Sequence, residues 1–155
     1  MEARYLEDYT AGEVIRATGI TLTEAEIIAY GFRYDPQLCH TDKIAAAQSI
    51  YGGLIASGWQ VGALAFRMLV QAGVLGEGSL GSPGLDELRW SKPVRPGDTL
   101  YAEAEILEVR PSQSKPDRGI VSVAYRVKNQ AGDTVMSFRG TQLVRGEPPA
   151  PPNAD

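Results

Sequence analysis

The chain has 155 residues, of which 43% are hydrophobic and 22% charged, which predicts a single globular domain. Its net charge of −4 argues against nucleic acid as a partner, because phosphate binding requires a basic surface. The single cysteine, Cys39, excludes an internal disulfide bond. No apolar run approaches the ~20 residues of a transmembrane helix, and the polar start "MEARYLEDYT" does not resemble a signal peptide. We therefore expect a cytoplasmic protein with no membrane association.

The first elements predicted along the chain are a short β-rich entry, "EVIRATGITLT", and a helix, "TEAEIIAYGFRY". Thr23 is the expected N-cap of this helix, and two glutamates in its first turn favour the helix dipole. Pro36 pushes Asp35 out of the helical region and should end the helix there. The segment from Asp35 to His40 is therefore expected to form a loop.

Two further helices are expected before the sheet. The segment "TDKIAAAQSI" predicts a short helix that begins near Thr41 or Asp42. The stretch from Ile55 to Val74 is small and apolar on nearly every side, which predicts a helix buried all round. It is too short for a membrane span, so we expect a central helix.

The second half of the chain predicts consecutive antiparallel strands joined by short turns. The strands are "GLDELRWSKPV", "TLYAEAEILEVRPS", "RGIVSVAYRVKNQ" and "TVMSFRGTQLVR", with turns at "RPGD" and "NQAGD". One buried helix beside such a meander indicates an α+β protein in which a curved sheet wraps around the helix. An uncovered sheet edge would then favour dimerisation by edge pairing. Residues 1–145 form the expected domain, and 146–155 form a Pro-rich flexible tail.

The loop "YDPQLCHTD" holds the only histidine of the chain, with Asp35 five positions before His40. A carboxylate beside an imidazole is a general acid–base pair, because histidine exchanges its proton near neutral pH. The alternative is structural: Asp35 forms a turn or a cap, and His40 caps the next helix. Cys39 is disfavoured as a nucleophile, since adjacent residues usually point apart, and the sequence contains no metal-ligand spacing.

A second motif, "GGLIASGW", places Ser57 and Gly58 at or near the start of the central helix. Unpaired N–H groups at a helix start can bind a developing oxyanion, and a glycine there lets a substrate carbonyl approach. The alternative is that these small residues only permit close packing of the helix on the sheet.

Three motifs in order, "DPQLCHTD", "YGGLIASGW" and "WSKPVRPGDTL", resemble the MaoC-like dehydratases, or (R)-specific enoyl-CoA hydratases, of the hot-dog superfamily. The resemblance covers the chain from about Tyr5 to about Arg145. Asp35 and His40 match the catalytic positions of that family. The sequence departs from the family pattern at Tyr34, at Gln37-Leu38 and at Ser57, where histidine is usual. The other matching positions are Asp42, Ile55, Ala56, Gly58, Pro93, Val94, Pro96, Gly97 and Asp98.

The resemblance implies a hot-dog fold, an antiparallel sheet of about five strands around the central helix, in a homodimer or a higher homo-oligomer. It implies hydration of the 2,3 double bond of an acyl-CoA thioester, or the reverse dehydration. Asp35 and His40 would activate the water. Gly58 would bind the thioester oxygen, with Ile55, Ala56 and Ser57 completing the substrate site. No metal or cofactor is implied, because coenzyme A is part of the substrate.

Two other functions are compatible with the same fold: an acyl-CoA thioesterase, and a non-catalytic acyl-binding subunit. The sequence also leaves the acyl group open, including branched and dicarboxylic enoyl groups. Arg33 and Arg67 are the candidates for pairing with a substrate carboxylate.

Overall fold

A computed structural model describes residues 3–148. The part of the predicted Pro-rich tail from residue 149 onward lies outside the described residues. Within residues 3–148, no helix is both long enough and apolar enough to cross a bilayer. The helical elements are a 3₁₀ turn at Leu6–Asp8 and the helices α1 (Glu24–Tyr34), α2 (Leu38–Thr41), α3 (Lys43–Ala47) and α4 (Gly58–Gln71).

Helix α1 begins and ends where the sequence predicts. The Thr23 hydroxyl accepts a hydrogen bond from the Glu26 N–H, and the Glu26 carboxylate accepts one from the Thr23 N–H, which completes a capping box. The chain leaves the helix at Asp35, before Pro36. The expected loop is partly helical, since His40 lies in α2, a single turn that precedes Asp42, the N-cap of α3.

The central helix α4 is shorter than the predicted span of Ile55 to Val74. At its start, the Ala56 N–H donates to the Val94 carbonyl, so this residue is paired with another segment before the helix begins. At its end, the Val74 N–H donates to the Leu69 carbonyl in a Schellman arrangement. The uniform apolar character of the sequence conceals both boundaries.

The strands form one antiparallel sheet with five positions across it. β5, β6 and β7 form the centre, β1 and β2 both pair with β5, and β3 and β4 both pair with β7. Strand β3 was not predicted from the sequence. The seven strands are β1 (Val14–Arg16), β2 (Ile20–Thr21), β3 (Ser79–Gly81), β4 (Leu85–Trp90), β5 (Thr99–Pro111), β6 (Arg118–Lys128) and β7 (Thr134–Arg145).

The core lies between α4 and the inner face of the sheet. Alternate residues of β5 are buried, as their apolar and polar alternation predicts, and Val61, Ala65 and Met68 of α4 pack against them. Helix α4 is not buried all round, however, because Trp59 and Phe66 are exposed in the single chain. A curved antiparallel sheet wrapped around one helix is the hot-dog arrangement and confirms the predicted α+β class.

Candidate active site

Asp35 reaches the site because α1 ends there. Its backbone N–H still donates to the Gly31 carbonyl, while its side chain points into a cavity beside the start of α4. The carboxylate is held at both oxygens. The Ser57 hydroxyl donates to Oδ2 at 2.6 Å, and the Gln37 amide donates to Oδ1 at 2.8 Å. The carboxylate orientation is therefore fixed by two protein donors.

These donors also set the charge state of Asp35. The hydrogen bond from Ser57, followed by that from Gln37, lowers the pKa of the Asp35 carboxyl, because both stabilise the ionised form. Partial burial opposes this shift, and the nearby His40 adds to it. Asp35 is therefore an ionised acceptor at neutral pH.

His40 is buried, and its ring orientation is fixed by a backbone group. Nδ1 lies 2.8 Å from the carbonyl oxygen of Ile55. A carbonyl oxygen can only accept a hydrogen bond, so Nδ1 carries the hydrogen. In the neutral ring, Nε2 then bears the lone pair. Nε2 lies 3.4 Å from Asp35 Oδ2, so the two acceptors face each other in the cavity.

The start of α4 forms the opposite side of the site. Ser57 is the N-cap, with its hydroxyl oxygen accepting from the Trp59 N–H at 3.2 Å. The next residue, Gly58, lines the cavity, and its N–H has no acceptor within residues 3–148. This N–H lies at the positive end of the helix dipole and is a free donor for an anionic oxygen.

Trp90 of β4 fits against Gly58. The indole N–H donates to the Gly58 carbonyl at 3.0 Å. A Cβ on residue 58 would lie only 2.6 Å from two atoms of the indole ring. The missing side chain therefore makes room for Trp90, which contacts Trp59 edge to face at 5.3 Å between ring centroids.

The cavity that contains these groups has a volume of about 460 Å³, which is within the range of small-molecule sites. It is open to solvent and mixes polar and apolar walls. Its lining residues are Asp35, Gln37, Cys39, His40, Tyr51, Ile55, Ala56, Gly58, Trp59, Val61, Trp90, Ser91, Lys92, Pro93, Val94 and Val135.

The structure brings five of the six predicted site residues to this cavity wall: Asp35, His40, Ile55, Ala56 and Gly58. The sixth, Ser57, is fully buried behind Asp35 and contacts its carboxylate. The roles predicted for these residues in substrate binding and catalysis remain predictions.

Several wall residues have no role in the sequence prediction, among them Gln37, Trp59 and Trp90. Gln37 was recognised only as a departure from the family pattern, and the two indoles, Trp59 and Trp90, carried no signal. Ile55 contacts His40 through its backbone carbonyl. Every residue type has this group, so the sequence pattern could not have predicted the contact.

Four other residues considered in the sequence analysis differ in their position relative to the cavity. Cys39 lies on the wall, and burial raises the pKa of its thiol. Asp42 caps α3, accepting hydrogen bonds from two backbone N–H groups. Arg33 and Arg67 are exposed and are not on the wall of this cavity. Within residues 3–148, no group of three or more potential ligands is arranged to hold a metal ion.

Comparison with known proteins identifies the family to which the chain belongs. The family model described as "MaoC like domain" matches residues 8–129, and the chain belongs to this family. The structure is similar to that of the MaoC-like dehydratase from Rhodospirillum rubrum, with a TM-score of 0.88 and 37% identity. That similarity covers 94% of this chain and 99% of the other.

Two further relatives bear the name hydratase. The R-hydratase PhaJ1 from Pseudomonas aeruginosa has a TM-score of 0.73 and 27% identity, with coverage of 97% of this chain and 96% of that one. The mesaconyl-CoA hydratase of Cereibacter sphaeroides is 30% identical over 96% of this chain. The match spans 43% of the length of that enzyme.

Proposed function

We propose that the protein adds water across the 2,3 double bond of an enoyl thioester, or removes it from a 3-hydroxyacyl thioester. The arrangement of Asp35 and His40 carries this proposal. Their facing atoms are both acceptors when the ring is neutral, and Nε2 and Oδ2 lie 3.4 Å apart. A water molecule has two protons to donate and satisfies both acceptors, which places its oxygen for attack.

The reaction balances without any other reactant. The water oxygen bonds to C3 while one water proton passes to His40 Nε2, and a proton returned by the pair bonds to C2. Negative charge develops on the thioester oxygen between these steps. The free N–H of Gly58 supports that charge, and such a donor contributes ~10²–10³-fold in rate. General acid–base catalysis contributes a further ~10²–10⁴-fold.

We also propose that the reaction needs no resident cofactor. Hydration changes no net oxidation state, so no redox group is required, and coenzyme A enters as part of the substrate. The activation assigned to Asp35 and His40 requires a neutral imidazole and an ionised carboxylate, and the lowered pKa of Asp35 favours the latter.

The test is the loss of enoyl-thioester absorbance with crotonyl-CoA. Asp35→Asn and His40→Gln should each lower kcat by at least about 100-fold, since each removes one acid–base partner. Asp42→Asn is the matched control. It makes the same chemical change at a residue that caps α3 and is not on the cavity wall, and asparagine caps as well as aspartate.

Two results would contradict the proposal. Wild-type turnover in His40→Gln, with the fold intact by circular dichroism, would remove His40 from the chemistry. Release of free thiol while the double bond persists would instead identify a thioesterase.

We further propose a homodimer formed through the edge of β4. This strand pairs with β7 on one side, and within residues 3–148 no strand pairs with its other side. An unpaired strand edge is a surface that a second copy can cover by backbone pairing. Light scattering should give twice the mass of one chain, and a monomer at micromolar concentration would refute this assembly.

A further inference from the structure

A second cavity, of about 780 Å³, adjoins the catalytic one. The two cavities share Trp59, and residues of the same helix and the same strand line both of them. On α4, Gly58 lines the first cavity and Gly62 the second. On β7, Val135 lines the first and Met136 the second. A substrate whose thioester lies at Gly58 can therefore extend its acyl chain into the second cavity.

The wall of the second cavity is mostly apolar and carries no charged side chain. The apolar and aromatic side chains suit a hydrocarbon chain, which gains by leaving water. The apolar part of the wall includes Phe66, Leu75, Leu85, Leu88, Met136 and Phe138.

One buried polar pair interrupts this wall. Tyr125 is 1% exposed and Gln142 is 4% exposed, and the Gln142 amide donates to the Tyr125 hydroxyl oxygen at 3.1 Å. Within residues 3–148, the Tyr125 hydroxyl proton has no acceptor and the Gln142 amide oxygen has no donor. Burial raises the pKa of Tyr125, so its hydroxyl keeps its proton. The pair therefore presents one donor and one acceptor on the cavity wall.

The position of the pair sets how far along the chain it acts. The Tyr125 ring stacks on Phe138 with 4.4 Å between centroids. Val135 lies on the wall of the catalytic cavity, and Phe138 lies three residues further along β7. In an extended strand this separation is about 10 Å. Gly140 leaves space for the ring, since a Cβ there would lie 3.1 Å from it. The polar pair therefore lies well beyond the reacting carbons.

We propose that the second cavity holds an acyl chain whose distal part carries a neutral polar group, a hydroxyl or a carbonyl, bound by Tyr125 and Gln142. A hydroxyl can accept from Tyr125 and donate to Gln142, which satisfies both free positions. A carboxylate would be buried with no cation beside it, at a large desolvation cost. Arg33 and Arg67 line neither cavity, so they supply no such cation. This inference rests on the proposed hydratase function and specifies its substrate class.

The test compares trans-2-enoyl-CoA thioesters of about eight to ten carbons, a length that reaches the polar pair. Each chain is made unsubstituted, with a hydroxyl on its distal carbons, and with a terminal carboxylate. For the wild type, kcat/KM should be about tenfold higher for the best hydroxylated chain than for the unsubstituted chain, and lowest for the carboxylate. Tyr125→Phe removes one hydroxyl and should reduce the hydroxyl preference to near unity.

Two further variants serve as a matched control and as a replacement for Tyr125→Phe. Tyr101→Phe makes the same change on an exposed tyrosine of β5 that lines neither cavity, and it should keep the wild-type preference. If Tyr125→Phe does not fold, Gln142→Met keeps the side-chain length, removes the amide and tests the same preference.

The outcomes separate the two proposals. Turnover of crotonyl-CoA and of the unsubstituted chains, with no preference for a hydroxyl or with a preference for the carboxylate, would overturn this inference and leave the hydratase function standing. Absence of turnover with every thioester would overturn both.

Discussion

Trp90 occupies the space that a side chain on Gly58 would need, and its indole N–H donates to the Gly58 carbonyl at 3.0 Å. Two requirements therefore meet at one residue. The N–H of Gly58 is a free donor of the site, and its missing Cβ lets strand β4 approach the start of α4 closely. The position of the proposed oxyanion donor depends on this contact.

The first prediction concerns Gly58→Ala. Alanine normally favours a helix over glycine, but here its Cβ would lie 2.6 Å from a rigid indole, so Trp90 or the helix start must move. We expect a loss of about 1–3 kcal/mol in the free energy of unfolding, as in other overpacked sites, and at least a tenfold loss in kcat/KM. Urea unfolding and steady-state kinetics measure these effects.

Gly62→Ala is the control for stability, because it lies on the same helix and its Cβ would meet only the flexible end of Met136 at 3.1 Å. It should be closer to neutral. Equal destabilisation by the two alanines would show that the Trp90 contact has no special role.

The second prediction concerns the support of Asp35 by Ser57. Ser57→Ala removes a donor to a carboxylate and the N-cap of α4, so the free energy of unfolding should fall by about 2 kcal/mol near neutral pH. The pKa of Asp35 should rise towards its ordinary value, because its strongest hydrogen bond is lost.

The sign of the pH dependence follows from the lowered pKa of Asp35. The stabilisation from the ionised carboxylate is present above the ordinary aspartate pKa and is lost as pH falls through the lower folded-state value. The difference in stability between wild type and Ser57→Ala should therefore shrink below about pH 4. A difference that stays constant, or grows, as pH falls would contradict the assigned hydrogen bond.

The sequence predicts most of the fold because its local signals agree with the final packing. The capping box at Thr23, the stop at Asp35-Pro36 and the alternation along β5 all act over a few residues. The predicted start of α4, at Ile55, is wrong because Ile55 and Ala56 are as apolar as the helix itself. Their backbones pair with distant segments, which a local pattern cannot reveal.

In the candidate site, too, local motifs could be predicted and contacts between distant residues could not. The motifs include Asp35, His40, Ile55 and Ser57, but they do not show which of these residues contact one another. Ser57 reaches Asp35 across 22 positions, and the Ile55 carbonyl reaches His40 across 15. Such contacts exist only after folding, so spacing alone could not establish them.

The third prediction concerns the tautomer of His40. Its hydrogen bond to the Ile55 carbonyl requires the hydrogen on Nδ1, which leaves Nε2 unprotonated in the neutral ring. The chain has a single histidine, so ¹⁵N labelling of histidine gives one unambiguous imidazole spectrum. In the neutral state, the ring proton should be found on Nδ1. A proton on Nε2 would remove the lone pair that the mechanism needs.

The fourth prediction concerns Cys39, which lies on the cavity wall beside His40. Burial raises the pKa of its thiol, and the nearby Asp35 carboxylate adds to the effect, so little thiolate forms near neutral pH. Alkylation should have its pH midpoint above about 8.5, the value for a free thiol.

Cys39→Ala should also lose far less activity than the ~10⁴-fold or more expected on removing a nucleophile. Rapid alkylation at neutral pH, together with a collapse of turnover in Cys39→Ala, would reassign the chemistry to this residue.

The most direct test of the central claim follows crotonyl-CoA by proton NMR in deuterated water. Hydration at Asp35 and His40 predicts a 3-hydroxybutyryl thioester with one deuteron at C2, its thioester bond intact, formed by the wild type and not by His40→Gln. Free thiol with the double bond retained, or no change to the thioester in the presence of folded protein, would contradict the account.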